Sequence, residues 1–99
     1  MSKLMPDRLS EEEVENALIE LPTWELQGRD IVRLYEFKNF ADAMEFVNAV
    51  AALAEAEKHH PDIDIRWNKV RLKLSTHSKG GLTQLDFDLA EKLDAAALG

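Results

Sequence analysis

Pro61-Asp62-Ile63-Asp64-Ile65-Arg66-Trp67-Asn68-Lys69-Val70-Arg71-Leu72-Lys73-Leu74 decides the fold of this chain. Its period is two. Ile63, Ile65 and Trp67 alternate with Asp64, Arg66 and Asn68, and Val70, Leu72 and Leu74 alternate with Arg71, Lys73 and Ser75. Such alternation places apolar side chains on one face of a strand and polar ones on the other. Asn68-Lys69 is the expected turn or bulge between two strands, so the stretch reads as an antiparallel hairpin.

Upstream of Pro61 the period is helical. No proline or glycine interrupts the chain from Phe40 to about Lys58, and Ala43, Phe46, Val47, Val50, Leu53 and Ala54 recur on one face. Asn39 is the expected N-cap, with Asp42 three residues on. Alanines at 41, 43, 49, 51, 52, 54 and 56 favour the helix and allow another surface to approach closely. Further upstream, Thr23–Gln27 and Ile31–Phe37 read as a second hairpin about a turn at Gly28-Arg29-Asp30, with Trp24 and Leu26 on one side. Ser10-Glu11-Glu12-Glu13 is a capping box that opens a helix striped by Val14, Ala17, Leu18 and Leu21, and Pro22 stops it.

Downstream, Lys79-Gly80-Gly81 is a loop. Thr83 and Asp86 form a second box-like cap, flanked by Leu82 and Phe87, and a last helix runs through Ala90, Leu93 and Ala97. The order is α-β-β-α-β-β-α. Two hairpins imply a four-stranded antiparallel sheet, and three amphipathic helices must cover at least one face of it: a two-layer α+β fold. The 99 residues make a single domain over 1–99 with a small core, which gains from assembly into oligomers.

Composition narrows the function. There is no cysteine, which removes disulfides, thiol catalysis and thiolate metal sites. No apolar run is long enough to span a membrane and no signal peptide is visible, so the cytoplasm is the expected compartment. A net charge of −7 argues against nucleic acid as a partner. Arg66, Lys69, Arg71, Lys73 and Lys79 lie in a stretch free of acids. They read first as a solvated strand face balanced by acids elsewhere, and second as a local attraction for an anionic ligand.

The three histidines stand at segment junctions. His59 and His60 fall between the long helix and Pro61, where a helix C-terminus favours positive charge. His77 follows the last strand and, if alternation continues, shares a side with Arg71, Lys73 and Ser75. A hairpin brings both ends together. A metal site of His59 or His60, His77 and Glu55 or Asp86 matches no known ligand spacing, so a metal centre is not the expected reading. Ser75, Thr76 and Ser78 lack a nucleophile elbow, and Gly80-Gly81 alone is no phosphate loop. Proton transfer by imidazoles near neutral pH suits the histidines better.

Glu55-Ala56-Glu57-Lys58-His59-His60-Pro61, Trp67-Asn68-Lys69-Val70, Ser75-Thr76-His77 and Gly81-Leu82-Thr83 with Asp86, in this order, resemble the pterin-4a-carbinolamine dehydratases. The resemblance covers nearly the whole chain and implies the same fold. It implies dehydration of a 4a-hydroxytetrahydropterin to the quinonoid dihydropterin, in the recycling of tetrahydropterin used by aromatic amino acid hydroxylases. His59, His60 and His77 match the family's active-site histidines, with His59 and His77 as the acid/base pair and His60 mainly binding substrate. Glu55 matches a carboxylate that can orient a histidine, and Pro61, Ser75, Thr76 and Asp86 match positions that hold the pterin. Homodimers or homotetramers, formed through sheet edges and the second helix, are also implied.

Three positions depart from the family pattern: Ile63 where tryptophan is common, Lys58 where aspartate is common, and Trp67 in place of a frequent tyrosine. They bear on pterin affinity and side-chain preference. They also leave open a non-catalytic interaction module on the same fold, or a related pterin of molybdenum cofactor metabolism as substrate.

Overall fold

Two central strands carry the sheet. In the computed structural model, which describes residues 7–98, β2 (Asp30–Glu36) pairs antiparallel with β4 (Lys69–Leu74), β1 (Glu25–Gln27) flanks β2, and β3 (Asp62–Arg66) flanks β4. The helices α1 (Glu11–Ile19), α2 (Phe40–Glu57) and α3 (Gln84–Leu98) complete the order α-β-β-α-β-β-α, with a single 3-10 turn at His77–Lys79. The α+β architecture with an open four-stranded antiparallel sheet is the one the sequence implies. Residues 1–6 and Gly99, part of the expected 1–99 domain, lie outside the described residues.

The core lies between the sheet and the helices. Ile31 and Tyr35 of β2, Val70, Leu72 and Leu74 near the sheet centre, Phe46 and Val50 of α2, and Leu89 and Leu93 of α3 are buried in it. Register explains the face: Ile63 pairs with Leu72 and Ile65 with Val70, so the apolar residues of both hairpin strands point the same way. Ser10 caps α1 as expected, its Oγ accepting from the Glu13 N–H at 3.1 Å while its own N–H donates to Glu13 Oε1 at 2.8 Å.

Several boundaries move. α1 ends at Ile19, three residues before Pro22, because the residue before a proline is driven out of helical conformation. Tight turns follow, with Leu21 N–H on Leu18 O and Trp24 N–H on Leu21 O, both at 3.0 Å. Pairing therefore begins at Glu25 rather than Thr23, and Trp24 and Leu26 do not share a setting. Trp24 is buried in the core, whereas Leu26 is exposed on a three-residue edge strand. The β3–β4 turn is Trp67-Asn68, with Lys69 already paired to Arg66. Trp67 is 65% exposed and left-handed at φ 52° instead of facing the core.

The imperfect alternation of β2 has a cause. Arg33 lies on the helix-covered face between Ile31 and Tyr35, and its Nη1 donates to Asp94 of α3 at 2.7 Å. Tyr35 Oη (2.5 Å) and Trp24 Nε1 (3.0 Å) donate to the same carboxylate, and the Arg33 guanidinium stacks 4.2 Å from the Tyr35 ring centre. On the opposite, uncovered face the basic run meets acids. Arg71 pairs in register with Asp64 and Lys73 with Asp62, while Lys69 and Lys73 reach Glu36 and Asp30 at 4.0 Å. Acids thus stand beside the basic side chains of this strand face.

Candidate active site

The end of α2 aims the first two histidines. Lys58, just past the helix, takes the left-handed conformation at φ 54°, and its N–H bonds Glu55 O at 3.3 Å. The His59 N–H reaches back to Ala54 O at 3.1 Å. This pair of bonds is a Schellman motif, which closes the helix and turns the chain sharply. Pro61 then prevents any helical continuation, and β3 begins at Asp62. Because Asp62 pairs with Lys73, the residues before β3 and after β4 lie at the same end of the hairpin.

At that end β4 stops at Leu74, and the expected alternation stops with it. Thr76 forms an isolated bridge to Gly81, its N–H on Gly81 O at 2.9 Å. Inside this closed loop His77 opens the 3-10 turn, so its exposure comes from the loop and not from a strand face shared with Arg71 and Lys73. Ser75, half-buried, joins β4 to the bridge.

The His59 ring is nearly enclosed, with a side-chain exposure of 10%, and its Nε2 lies 2.5 Å from Oδ1 of Asp86, whose side chain is fully buried. Asp86 Oδ2 accepts from Thr76 Oγ1 at 2.8 Å and from the Thr83 N–H at 2.9 Å. One carboxylate therefore makes two sets of contacts: one oxygen caps α3 and the other meets the His59 ring. The cap differs from the expected box in one bond, since Thr83 Oγ1 accepts from Leu85 N–H at 3.2 Å rather than from Asp86. His60 points elsewhere, its Nε2 2.6 Å from Glu55 Oε2 in an exposed pair.

His59, Thr76 and Asp86 are thus joined directly, and His60 and Glu55 form a separate pair. His77 and Pro61 adjoin these groups along the chain, and the His77 ring makes no hydrogen bond to another described residue. Among the described residues no three His, Asp or Glu side chains gather as a metal site, because His59 and His60 each take a different carboxylate. A cavity of about 780 Å³ is lined by Arg8, Ser10, Glu13, Arg29 and Gly81, among others, and by none of the histidines. Thr83 is the site residue that sequence reasoning kept only as a cap. Its position three before Asp86 was visible, but its contact with Thr76 depends on the loop between them.

This arrangement can hold one imidazole in a fixed orientation beside two solvent-accessible ones, which is the equipment of general acid/base chemistry. Comparison with known proteins identifies the family. The family model for pterin 4 alpha carbinolamine dehydratase matches residues 7–96. A protein of Thermomicrobium roseum named "Putative pterin-4-alpha-carbinolamine dehydratase" is 55% identical over 86 residues, 87% of this chain and 92% of its own. One of the same name from Acidobacterium capsulatum is 53% identical over 88 residues, 89% and 96% of the two chains. The chain belongs to the pterin-4a-carbinolamine dehydratase family.

Among solved structures, a Brucella melitensis protein described as a transcriptional coactivator/pterin dehydratase superposes with a TM-score of 0.88 at 40% identity, over 92% of this chain and 99% of that one. A pterin dehydratase-like protein described as a RuBisCO assembly factor in the alpha-carboxysome gives 0.66 at 27% identity, over 76% and 89%. No described helix is long and apolar enough to cross a membrane.

Proposed function

We propose that this protein removes water from a 4a-hydroxytetrahydropterin to give the quinonoid dihydropterin. The observation that carries the reading is the His59 ring held by the buried Asp86, at the same hairpin end as His60 and His77. One imidazolium protonates the 4a-hydroxyl, the C4a–O bond breaks, and water leaves. The N5 lone pair forms the C4a=N5 bond, and a neutral imidazole takes the N5 proton. His59 and His77 form this acid/base pair, each adding about 10²–10⁴-fold. His60, oriented by Glu55, contacts the substrate, with Pro61 and Ser75 beside the ring. The sequence adds no requirement for a cofactor. Work in the cytoplasm, as a homodimer or homotetramer supplying a reductase downstream of an aromatic amino acid hydroxylase, belongs to the same reading.

The test is the rate of dehydration of freshly generated 4a-hydroxytetrahydropterin, with the uncatalysed rate subtracted. The native chain accelerates it by at least about 10²-fold. The variant with His59, His60 and His77 all replaced by alanine does not, while its circular dichroism stays native. No acceleration by the native, folded chain overturns the reading.

A second reading, an interaction module on the same fold, is favoured by one observation. Ile63 and Trp67 are exposed on the edge hairpin, and a structural neighbour is described as an assembly factor. It requires a folded protein that neither binds pterin nor speeds its dehydration. Binding without dehydration points instead to a related pterin, such as one of molybdenum cofactor metabolism.

A further inference from the structure

The hydrogen bonds around Asp86 run in one direction. Thr83 Oγ1 accepts the Leu85 N–H at 3.2 Å, so its own proton points away from the helix, and Thr76 Oγ1 is 2.9 Å away to receive it. Thr76 in turn donates to Asp86 Oδ2 at 2.8 Å. The Thr83 N–H donates to that same oxygen at 2.9 Å. Thr76, Thr83 and Asp86 are all buried, so no bulk water competes for these positions. With Oδ2 occupied by two donors, Oδ1 remains for His59 Nε2 at 2.5 Å. A carboxylate oxygen only accepts, so the hydrogen in this contact sits on Nε2. Nδ1 is left as the ring nitrogen that exchanges a proton with a bound molecule.

We infer that Thr83 is a positioning residue: its hydroxyl, acting through Thr76 and Asp86, selects the Nε2–H tautomer of His59 and leaves Nδ1 as the exchanging atom. A helix cap alone needs only the acceptor side of the Thr83 hydroxyl, which Leu85 uses. The donor side, spent on Thr76, belongs to the histidine site. Thr76 and Asp86 then serve a bound pterin through His59 and not by touching it. The kinetic part of this inference rests on the proposed dehydration; the tautomer does not.

The experiment reads the His59 ring nitrogens by long-range proton–nitrogen NMR on the labelled full chain, with His59→Gln assigning the signals. Kinetics of the same variants run beside it. In the native protein the neutral ring shows Nε2–H in at least about tenfold excess over Nδ1–H. Thr83→Ser, which keeps the hydroxyl, preserves that ratio. Thr83→Val brings it to within about threefold, and lowers kcat about tenfold with KM within about twofold, as when the partner orienting a functional histidine is lost. Should Thr83→Val fail to fold, Thr76→Val, which removes the next link, is read in the same way. A native Nδ1–H tautomer overturns the inference. So does an unchanged ratio in the folded valine variant, or a loss confined to KM. If the native chain does not dehydrate the pterin, the proposed reaction fails, while the tautomer ratio still decides the role of Thr83.

Discussion

Lys58 shows how a single backbone conformation places chemistry. It holds φ at 54°, a region that costs a residue with a Cβ about 1–2 kcal/mol and costs glycine little. The cost is offset by the two bonds that close α2 and swing His59 under the sheet end, Lys58 N–H to Glu55 O and His59 N–H to Ala54 O. The Lys58 side chain is exposed and takes no part in the hydrogen bonds of the site. Lys58→Gly is therefore expected to raise stability by about 0.5–1 kcal/mol, read as a higher urea midpoint at unchanged slope, with the proposed dehydratase activity retained. A lower midpoint would mean that the side chain contributes something its exposure hides.

Among the elements, β2 and α3 are tied by the Asp94 cluster. Burial, then the hydrogen bond and charge of Asp94, push the Tyr35 phenol above its ordinary range, and Arg33 opposes this only in part. The sign follows from linkage. The folded chain keeps the phenol protonated where the unfolded chain, with an ordinary value of about 10, has lost the proton. The stabilisation is complete below about pH 10 and is lost as pH rises above it, by at most about 1.4 kcal/mol per unit for this group. Tyr35 is the single tyrosine, so tyrosinate absorbance reports it alone. Tyr35→Phe is expected to cost about 1 kcal/mol near neutrality and to flatten the alkaline decline relative to the native chain. Tyrosinate appearing in the folded protein near pH 10 would contradict this account.

For the whole molecule, the question is what lies against its uncovered apolar groups. Ile63 is 40% exposed on edge strand β3, Phe40 is exposed at the start of α2, and Ala41, Ala51, Ala52 and Ala56 are exposed along that helix. A chain this short buries only about 60–65% of its unfolded surface, so assembly adds stability its own core cannot. In the proposed dimer or tetramer, Ile63→Lys on the edge and Ala52→Glu on α2 are expected to lower the assembled fraction in sedimentation, by about tenfold or more for a central position. Leu34→Lys, on the uncovered face of β2, is expected to leave it unchanged. A native chain that sediments as a monomer would remove the oligomer from the reading.

The sequence by itself determined the element order, the apolar faces of β3 and β4, and the position of all three histidines at segment junctions. These depend on local periodicity, on capping residues and on prolines, all of which act within a few residues. It also carried the family, through His59-His60-Pro61 and Ser75-Thr76-His77. Strand and turn limits near Trp24 and Trp67 escaped it, because pairing partners and not propensity decide where a short strand begins. The tertiary structure alone decided that Arg33 belongs inside, beside Asp94, and that the basic run is matched by acids from β2 and β3. It alone decided that Asp86 serves a helix cap and His59 at once. Those facts join residues dozens of positions apart, and only the folded sheet with its helices brings such residues within hydrogen-bonding distance.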